Sequence, residues 1–338
     1  MKAALFERPH RLVVTDRPLR RLRPDEAVLR VQACGICGTD VHIVEGSSRS
    51  TPPVILGHEY CGVVEDVGES VDTITPGDFV AVDPNVSCGH CPYCRRGLIH
   101  LCQNLKAYGV DLDGGMAERC LVRSSHLYRL PQGMATDVAV FAEPVSCCVH
   151  GIDRANIEAG DAVVLLGGGT IGLIMLQLTR NAGAARTIVV EPIERKRLLA
   201  RDLGADVVLD PATDNVRDAV LDHTRIGADV VVECAGRKTT AQQALDLARR
   251  GGTVVMFGVC AVGHTIDVEP NAVYSKELNI VGSYINPYTF TRAISLLEQR
   301  KVRVDKFHFD RFPLDGIHDA LARLRKGEAV KSLILPVA

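Results

Sequence analysis

The sequence predicts an α/β protein with two domains, a β-rich domain and a doubly wound parallel sheet. Three observations support this prediction. The chain has 338 residues, which is more than one hydrophobic core usually accommodates. Short β-type runs separated by Gly and Pro extend to about residue 145. Strands that alternate with amphipathic helices follow from 146 to 286, as in a parallel sheet covered by helices.

Composition excludes several classes of partner. The chain is 46% hydrophobic and 24% charged, with a formal net charge of -2, so nothing indicates binding to nucleic acid or an anionic membrane. Its apolar stretch at 162–178 is interrupted by three consecutive glycines at 167–169, which favours strand, turn and helix over a membrane span. The charged start lacks the apolar region of a signal peptide, so we expect a cytoplasmic protein that acts on a small molecule.

Twelve cysteines in a reducing compartment indicate metal ligands or catalytic groups rather than disulfides. Four have the spacing C-x2-C-x2-C-x7-C, namely Cys88, Cys91, Cys94 and Cys102. Four thiolates complete a tetrahedral zinc shell without an open position, so this spacing predicts a structural zinc site in a lobe at about 86–104. His90 and His100 are alternative ligands, and an iron–sulfur cluster is an alternative occupant.

A second, dispersed set suggests a catalytic metal. Cys37 lies in GICGTDVH, His58 and Glu59 lie in GHEYCG, and Glu143 lies in FAEPVSCC. One thiolate, one imidazole and one carboxylate leave a fourth zinc position for water or substrate, as a catalytic site requires. Spacing alone supports a buried core role for these residues equally well.

The segment from residue 161 predicts a dinucleotide site. An apolar strand at 163–166 precedes Gly167-x-Gly169-x-x-Gly172, a helix follows, and a second strand at 187–190 ends at Glu191. Gly167 permits the turn, Gly169 lets the backbone approach a pyrophosphate, and Gly172 allows close packing of helix and strand. The helix N-terminus offers N–H groups to phosphates, so Thr170 and Ile171 are also expected to contact the cofactor.

Cofactor selectivity depends on charge after the second strand. Glu191 would accept hydrogen bonds from a ribose 2′-hydroxyl and repel a 2′-phosphate, which favours NAD over NADP. Arg195 and Lys196 point the other way, although they also fit an exposed helix face. Val259, after the strand that begins at Gly251, is a further expected cofactor contact.

The alternation continues to residue 286. Strands are predicted from Val207, Ala228, Gly251 and Glu277, and helices over Asn215–Thr224 and Thr239–Arg250. The tail, 287–338, is expected to return to the first domain because it is too short to stand alone. It carries two predicted helices and a final strand, namely Phe290–Arg300, Gly316–Arg325 and SLIL.

These motifs resemble the zinc-containing medium-chain alcohol/polyol dehydrogenases over essentially the whole chain. The resemblance is carried, in order, by GICGTDVH, GHEYCGVVEDVG, the four-cysteine lobe, EPVSCCVHG and GGGTIG. It implies a GroES-like catalytic domain at 1–145 and a Rossmann domain at 146–286. It also implies that Cys37 and His58 bind the catalytic zinc, and it leaves Glu59, Glu143 and water open as the remaining ligand.

The resemblance implies further roles and a reaction. Asp40 would orient the histidine ligand, while Thr39 and His42 would relay the proton of the alcohol. Zinc would lower the pKa of the alcohol, and hydride would pass to the nicotinamide. Sorbitol-, arabinitol- and threonine-type members are the most similar, so a polyol is the first expected substrate, with threonine or a 2,3-diol second. A homo-oligomer, either dimer or tetramer, is also implied.

Two functions of other classes must be considered. A zinc-free quinone-reductase-like enzyme normally lacks the Cys37 and His58 ligands and the cysteine lobe. A non-catalytic cofactor-binding protein is expected to have lost Cys37 or Glu143. This sequence retains all of these residues, which favours the zinc dehydrogenase.

Overall fold

A computed structural model describes residues 1–337, and in it the chain divides into two units. The first comprises Met1–Ser146, Pro287–Glu298 and the chain from Phe307 onward, and the second comprises Cys147–Asn286 and Gln299–Lys306. The tail therefore differs from the expectation in one stretch, because Gln299–Lys306 packs with the second unit. There Gln177 Oε1 accepts a hydrogen bond of 2.7 Å from the backbone N–H of Arg303.

The strands are β1 Lys2–Arg8, β2 Arg11–Asp16, β3 Glu26–Gly35, β4 Val54–Ile55, β5 Glu59–Val67, β6 Phe79–Val82, β7 Asn85–Val86, β8 Lys106–Ala107, β9 Arg119–Arg123, β10 Leu127–Arg129, β11 Ala162–Leu166, β12 Arg186–Val190, β13 Val207–Leu209, β14 Ala228–Glu233, β15 Ala248–Met256, β16 Asn279–Gly282, β17 Phe309–Pro313 and β18 Lys331–Leu335. The α-helices are α1 Gly38–Val44, α2 Thr136–Ala139, α3 Ala142–Ala155, α4 Thr170–Asn181, α5 Glu194–Asp202, α6 Val216–Thr224, α7 Lys238–Leu247, α8 Pro270–Lys276, α9 Phe290–Glu298 and α10 Ile317–Arg325.

The first unit is built on a mostly antiparallel sheet in the order β10-β6-β5-β3-β18-β17, with β9 also paired to β3. A second sheet has the order β2-β1-β4, and β7 pairs with β8. Alternate residues of these strands face a core that includes Leu29, Tyr60 and Met116. The chain from Phe307 completes the main sheet, because β18 pairs antiparallel with β3 at Leu333–Gly35.

The second unit is a parallel sheet in the order β13-β12-β11-β14-β15-β16. Its central strands are apolar and almost fully buried, as expected when helices cover both faces of a parallel sheet. The predicted fold class, a GroES-like β-rich domain with a Rossmann domain, is confirmed.

One helix boundary is wrong in the prediction. The helix expected over Thr239–Arg250 ends at Leu247, and Arg249 and Arg250 belong to β15. The physical reason is a tertiary contact, since the Arg249 guanidinium pairs with Asp229 of the adjacent strand β14. None of the helices in residues 1–337 combines the length and apolar character needed to cross a membrane.

Candidate metal centres and nucleotide site

The four-cysteine lobe brings its sulfurs together by local turns. The ligand atoms of Cys88, Cys91, Cys94 and Cys102 all lie within 4.8 Å of one another. Gly97, at φ +77°, ends a short 3-10 turn that begins at Cys94. The sequence-predicted alternative His90 is bound elsewhere, because its Nδ1 lies 2.7 Å from the carbonyl oxygen of Cys88.

Backbone N–H groups stabilise thiolates in this lobe. Cys102 Sγ accepts hydrogen bonds from the N–H of Cys88 at 3.2 Å and of Asn104 at 3.3 Å. Backbone hydrogen bonds from His90 and Cys91 lower the pKa of Cys88 to about 6. Burial and the neighbouring sulfurs instead raise the pKa of Cys94 to about 11. The fit to a closed zinc shell therefore rests on the clustering of four potential thiolate ligands.

The second metal-ligand cluster consists of Cys37, His58 and Glu59, whose ligand atoms also lie within 4.8 Å of one another. The pairing of β3 with β5 explains how residues so distant in sequence meet. Gly35 at the end of β3 faces Glu59 at the start of β5. Cys37 follows β3 by two residues and His58 directly precedes β5, so the two ligands emerge at the same edge of the sheet. Thiolate, imidazole and carboxylate are zinc's preferred donors, so the residues fit the metal.

Asp40 connects the two ligands of this cluster. Its side chain is fully buried, and its Oδ2 accepts a hydrogen bond of 2.8 Å from the backbone N–H of Cys37. Its Oδ1 lies 3.5 Å from His58 Nδ1, within ion-pair range but without a hydrogen bond. A carboxylate beside one ring nitrogen suits metal binding through the other, Nε2. Burial opposes protonation of His58, but Asp40 and Cys37 outweigh it and raise the pKa of the imidazole well above its ordinary value.

Glu59 has a partner that the sequence reasoning did not identify. Its Oε2 pairs with the ammonium of Lys331 on β18, and both residues are buried, at 2% and 3% exposure. Burial disfavours the ammonium, but Glu59, Cys37 and Glu143 together raise the pKa of Lys331. A lone lysine before the apolar run SLIL carries no sequence signal for a metal site, so only the register of β18 reveals it.

Glu143, the other predicted carboxylate, lies in the first turn of α3 and is buried. It is close enough to affect Lys331 electrostatically. The structure groups Glu59, rather than Glu143, with Cys37 and His58. Of the three possibilities left open by the sequence, the geometry therefore favours Glu59 as the third protein ligand.

The predicted relay residues lie on α1, directly after Cys37. Thr39 Oγ1 lies 3.7 Å from Cys37 Sγ, and His42 follows one helical turn later on the same face. His42 is partly exposed, and its Nδ1 lies 3.2 Å from Ser47 Oγ. Ser47 was not identified from the sequence because a loop serine carries no distinguishing pattern.

The glycine-rich turn has open space for a phosphate in the second unit. Gly167 has φ +111°, and a Cβ at Gly172 would overlap the carbonyl oxygen of Gly167. A Cβ at Gly169 would meet no atom within 4 Å, so packing does not require this glycine. Gly169 precedes α4 without a side-chain cap, and the N–H groups of Thr170 and Ile171 begin the helix. The N-terminus of a helix beside this open space fits a pyrophosphate.

Glu191 occupies the predicted place at the end of β12 and is buried. Its Oε2 accepts a hydrogen bond of 2.7 Å from Gly168 N–H, and its Oε1 accepts one of 2.9 Å from Ile193 N–H. Each oxygen retains a second lone pair for a ribose hydroxyl. Burial lowers the pKa of Lys196, and the charges of Arg195 and Arg237 lower it further, whereas the charge of Glu191 raises it. Positively charged side chains therefore also lie near Glu191.

Val259 has an exposed side chain, with 72% of its surface accessible. Its backbone closely approaches Gly236, where a Cβ would lie 2.7 Å from the Val259 carbonyl oxygen. Val259 comes after the end of β15, and Gly236 comes after the end of the neighbouring strand β14. Both therefore lie at the carboxyl ends of the strands, where parallel sheets bind nucleotides.

Comparison with known proteins places these features in one family. The model for the alcohol dehydrogenase GroES-like domain matches residues 23–132, and the zinc-binding dehydrogenase model matches residues 170–299. The chain is 31% identical to D-arabinitol dehydrogenase 1 of Uromyces fabae, covering 99% of this chain and 97% of that protein. It is 35% identical to D-altritol 5-dehydrogenase of Agrobacterium fabrum, with 88% of each chain covered.

Two further similarities bear on substrate and cofactor. L-threonine 3-dehydrogenase of Pyrococcus horikoshii is 34% identical over 92% of this chain and 91% of its own length. Among solved structures, a protein of Sinorhizobium meliloti 1021 described as a zinc-binding dehydrogenase, bound to NADP, is 40% identical, with a TM-score of 0.96 and 99% of each chain covered.

The fold and the two ligand clusters thus define a zinc-binding oxidoreductase. The chain belongs to the zinc-containing medium-chain alcohol/polyol dehydrogenase family.

We predict that Cys91→Ser removes one zinc per chain and lowers the midpoint of thermal unfolding by at least about 5 °C, because the lobe has little core of its own. Elemental analysis and a thermal scan measure both effects. Cys260→Ser, outside both ligand clusters, is the matched control. An unchanged zinc content in Cys91→Ser would rule out a structural zinc at this lobe.

Proposed function

We propose that the protein oxidises the secondary hydroxyl of a polyol with NAD, using a zinc ion held by Cys37, His58 and Glu59. The observation that carries this proposal is the clustering of these three ligand atoms within 4.8 Å, which leaves a tetrahedral metal one position for the substrate. Relatives named for D-arabinitol and D-altritol support the substrate class. Threonine is the second candidate, because a similarly close relative is an L-threonine 3-dehydrogenase.

Zinc, when bound, acts as a Lewis acid that lowers the pKa of the substrate hydroxyl, and NAD, when bound, accepts the hydride. The residues of the chain orient the groups and move the proton. Asp40 lies 3.5 Å from His58 Nδ1, where its charge would orient the imidazole, and it stabilises the start of α1 through the backbone N–H of Cys37. Thr39 Oγ1, beside Cys37 Sγ, is placed to take the proton from the substrate.

His42 passes this proton onward, and its tautomer follows from Ser47. The Ser47 hydroxyl donates its only hydrogen to the His42 carbonyl oxygen at 3.2 Å. Nδ1 of His42 must then donate its own hydrogen to Ser47 Oγ, which leaves Nε2 as the proton acceptor. Because His42 is partly exposed, the proton can leave to solvent from its ring.

For the nucleotide, we propose that the N–H groups at the start of α4 bind the pyrophosphate and that Glu191 binds the adenosine ribose. NADP remains the second candidate because Arg195, Lys196 and Arg237 supply positive charge nearby and because a similar structure contains NADP. We place the protein in the cytoplasm, since clustered cysteines with metal-ligand spacing are typical of proteins in a reducing compartment.

The substrate proposal predicts the ranking of kcat/KM over a panel of D-arabinitol, D-sorbitol, L-threonine, 2,3-butanediol and 2-propanol, assayed with NAD. We expect a polyol to exceed 2-propanol by at least about tenfold, because each extra hydroxyl can pair with a polar group in the site. Cys37→Ser, in the same assay, should lose turnover while binding NADH normally. L-threonine as the best substrate would replace the polyol assignment, and turnover retained in Cys37→Ser would refute the catalytic metal.

The cofactor proposal predicts that Glu191→Gln reduces the difference in affinity between NADH and NADPH. Removing the carboxylate charge removes its repulsion of a 2′-phosphate, so the ratio of the NADPH Kd to the NADH Kd should fall by about tenfold. Fluorescence titration measures both constants. Glu194→Gln removes the same charge from an exposed neighbour and should leave the ratio unchanged. A ratio that stays constant in Glu191→Gln would show that Glu191 does not select the cofactor.

We further propose a homo-oligomer, supported by the edge of the parallel sheet. β16 pairs with β15 on one side, and among residues 1–337 no strand pairs with its other side. Its Ile280 is exposed, and Tyr274 of the adjacent helix α8 has 82% of its surface accessible. An open, partly apolar strand edge is normally covered, and pairing with the same edge of a second copy would cover both.

This assembly proposal predicts that Ile280→Lys shifts the protein toward smaller species in light scattering coupled to size exclusion. The ammonium would be brought into the apolar contact between copies. Ile226→Lys, which alters another exposed isoleucine of the same unit, is the control and should leave the mass unchanged. A wild-type protein that is already monomeric would contradict the proposal directly.

A further inference from the structure

Lys331 lies in a part of the first unit where an ammonium is unexpected. It begins β18, whose last three residues form the apolar run Leu333–Leu335 within the main sheet. The side chain is 4% exposed, and its Nζ lies 5.9 Å from the centre of the Phe141 ring. The carboxylate that neutralises it is Glu59, one of the three clustered metal ligands.

A glycine makes room for this pair. β18 and β5 lie on either side of β3, and Gly35 faces Leu333 on one side and Glu59 on the other. A Cβ at Gly35 would lie 2.8 Å from Lys331 Cε and still closer to Glu59 Oε2. The bare backbone of β3 therefore lets the two side chains meet across it, and any larger residue would push them apart.

The ion pair with Lys331 uses one of the two carboxylate oxygens of Glu59. Oε2 is bound to the Lys331 ammonium, so Oε1 is the oxygen better able to donate electron density to a metal held with Cys37 and His58. Attraction between opposite charges is several times stronger in a buried site than in water. A buried ammonium therefore competes strongly with a second cation for the same carboxylate.

We propose that Lys331 is a positioning residue that competes with the bound metal for Glu59 and so keeps the metal's fourth position open for substrate. Without Lys331, both oxygens of Glu59 are free to turn toward the metal and close its shell. Lys331 thus weakens metal binding, and the position that it keeps open is available to the alcohol. The inference rests on the proposed function in that a divalent metal must bind at Cys37, His58 and Glu59.

The test measures metal release rather than turnover. Zinc-loaded protein is mixed with a chromogenic chelator at pH 8, and the two release phases are assigned with Cys91→Ser and Cys37→Ser. We expect Lys331→Met to slow release from the Cys37 site by about tenfold, because one competing buried charge is lost. Lys331→Arg, which keeps the charge, should release zinc within about threefold of the wild-type rate. Lys306→Met, at an exposed ion pair with Asp202, controls for the substitution itself.

The role of Glu59 as intermediary is tested by combining substitutions. In a Glu59→Gln background, adding Lys331→Met should change the release rate by no more than a third of its effect in the wild type. This double variant removes both buried charges, so it is expected to fold even if Lys331→Met alone does not. Cobalt substituted at the Cys37 site should show a changed visible spectrum in Lys331→Met and a wild-type spectrum in Lys331→Arg.

Faster or unchanged zinc release in Lys331→Met would overturn the proposal, as would an effect of equal size in the Glu59→Gln background. These outcomes differ from failure of the proposed function. If no zinc is lost in Cys37→Ser, the catalytic metal itself is refuted. If zinc binds but polyols are not oxidised, only the substrate assignment fails.

Discussion

The pairing of β3 with β5 is the constraint on which the proposed catalytic centre depends. It sets Gly35 opposite Glu59, and the residues just beyond that pair, Cys37 and His58, become neighbours across the sheet. β18 extends the same sheet from the far end of the chain and adds Lys331 on the other side of Gly35. A shift of this register by one residue would turn each of these side chains to the opposite face, so the metal site and the core packing are specified together.

Burial makes this group of charges interdependent. Asp40, Glu59 and Glu143 are each more than nine-tenths buried, and each would be costly to ionise alone. Asp40 lies against His58, and Glu59 is bound to Lys331, so both carboxylates have a positive or protonatable partner before any metal arrives. The site is therefore preorganised: a metal would exchange with existing charges rather than bring ionised groups together for the first time.

Local patterns allowed the most secure predictions from sequence. The lobe cysteines and the glycine-rich turn lie within short segments, where spacing alone determines which atoms can converge. The dispersed cluster depends on strand register, so only the family resemblance joined Cys37 to His58, and Glu59 could not be separated from Glu143. Lys331 and Ser47 were missed because neither has a neighbour in sequence that indicates its role. The end of α7 was misplaced because the pairing of Arg249 with Asp229 is a tertiary contact that overrides helical propensity.

The choice of ligands has a chemical consequence for the proposed reaction. A site with two thiolates and one imidazole neutralises zinc completely, as in some alcohol dehydrogenases. In the proposed site, the second thiolate is replaced by the carboxylate of Glu59, which already shares its charge with Lys331. A zinc ion held by Cys37, His58 and such a carboxylate keeps more of its positive charge and draws electrons more strongly from a fourth ligand. A polyol hydroxyl, flanked by other oxygen atoms, is a poor electron donor, and a more electrophilic metal compensates for this by binding it more strongly. The pairing of Lys331 with Glu59 therefore connects the proposed metal site to the proposed substrate class, because it leaves the zinc ion more electrophilic.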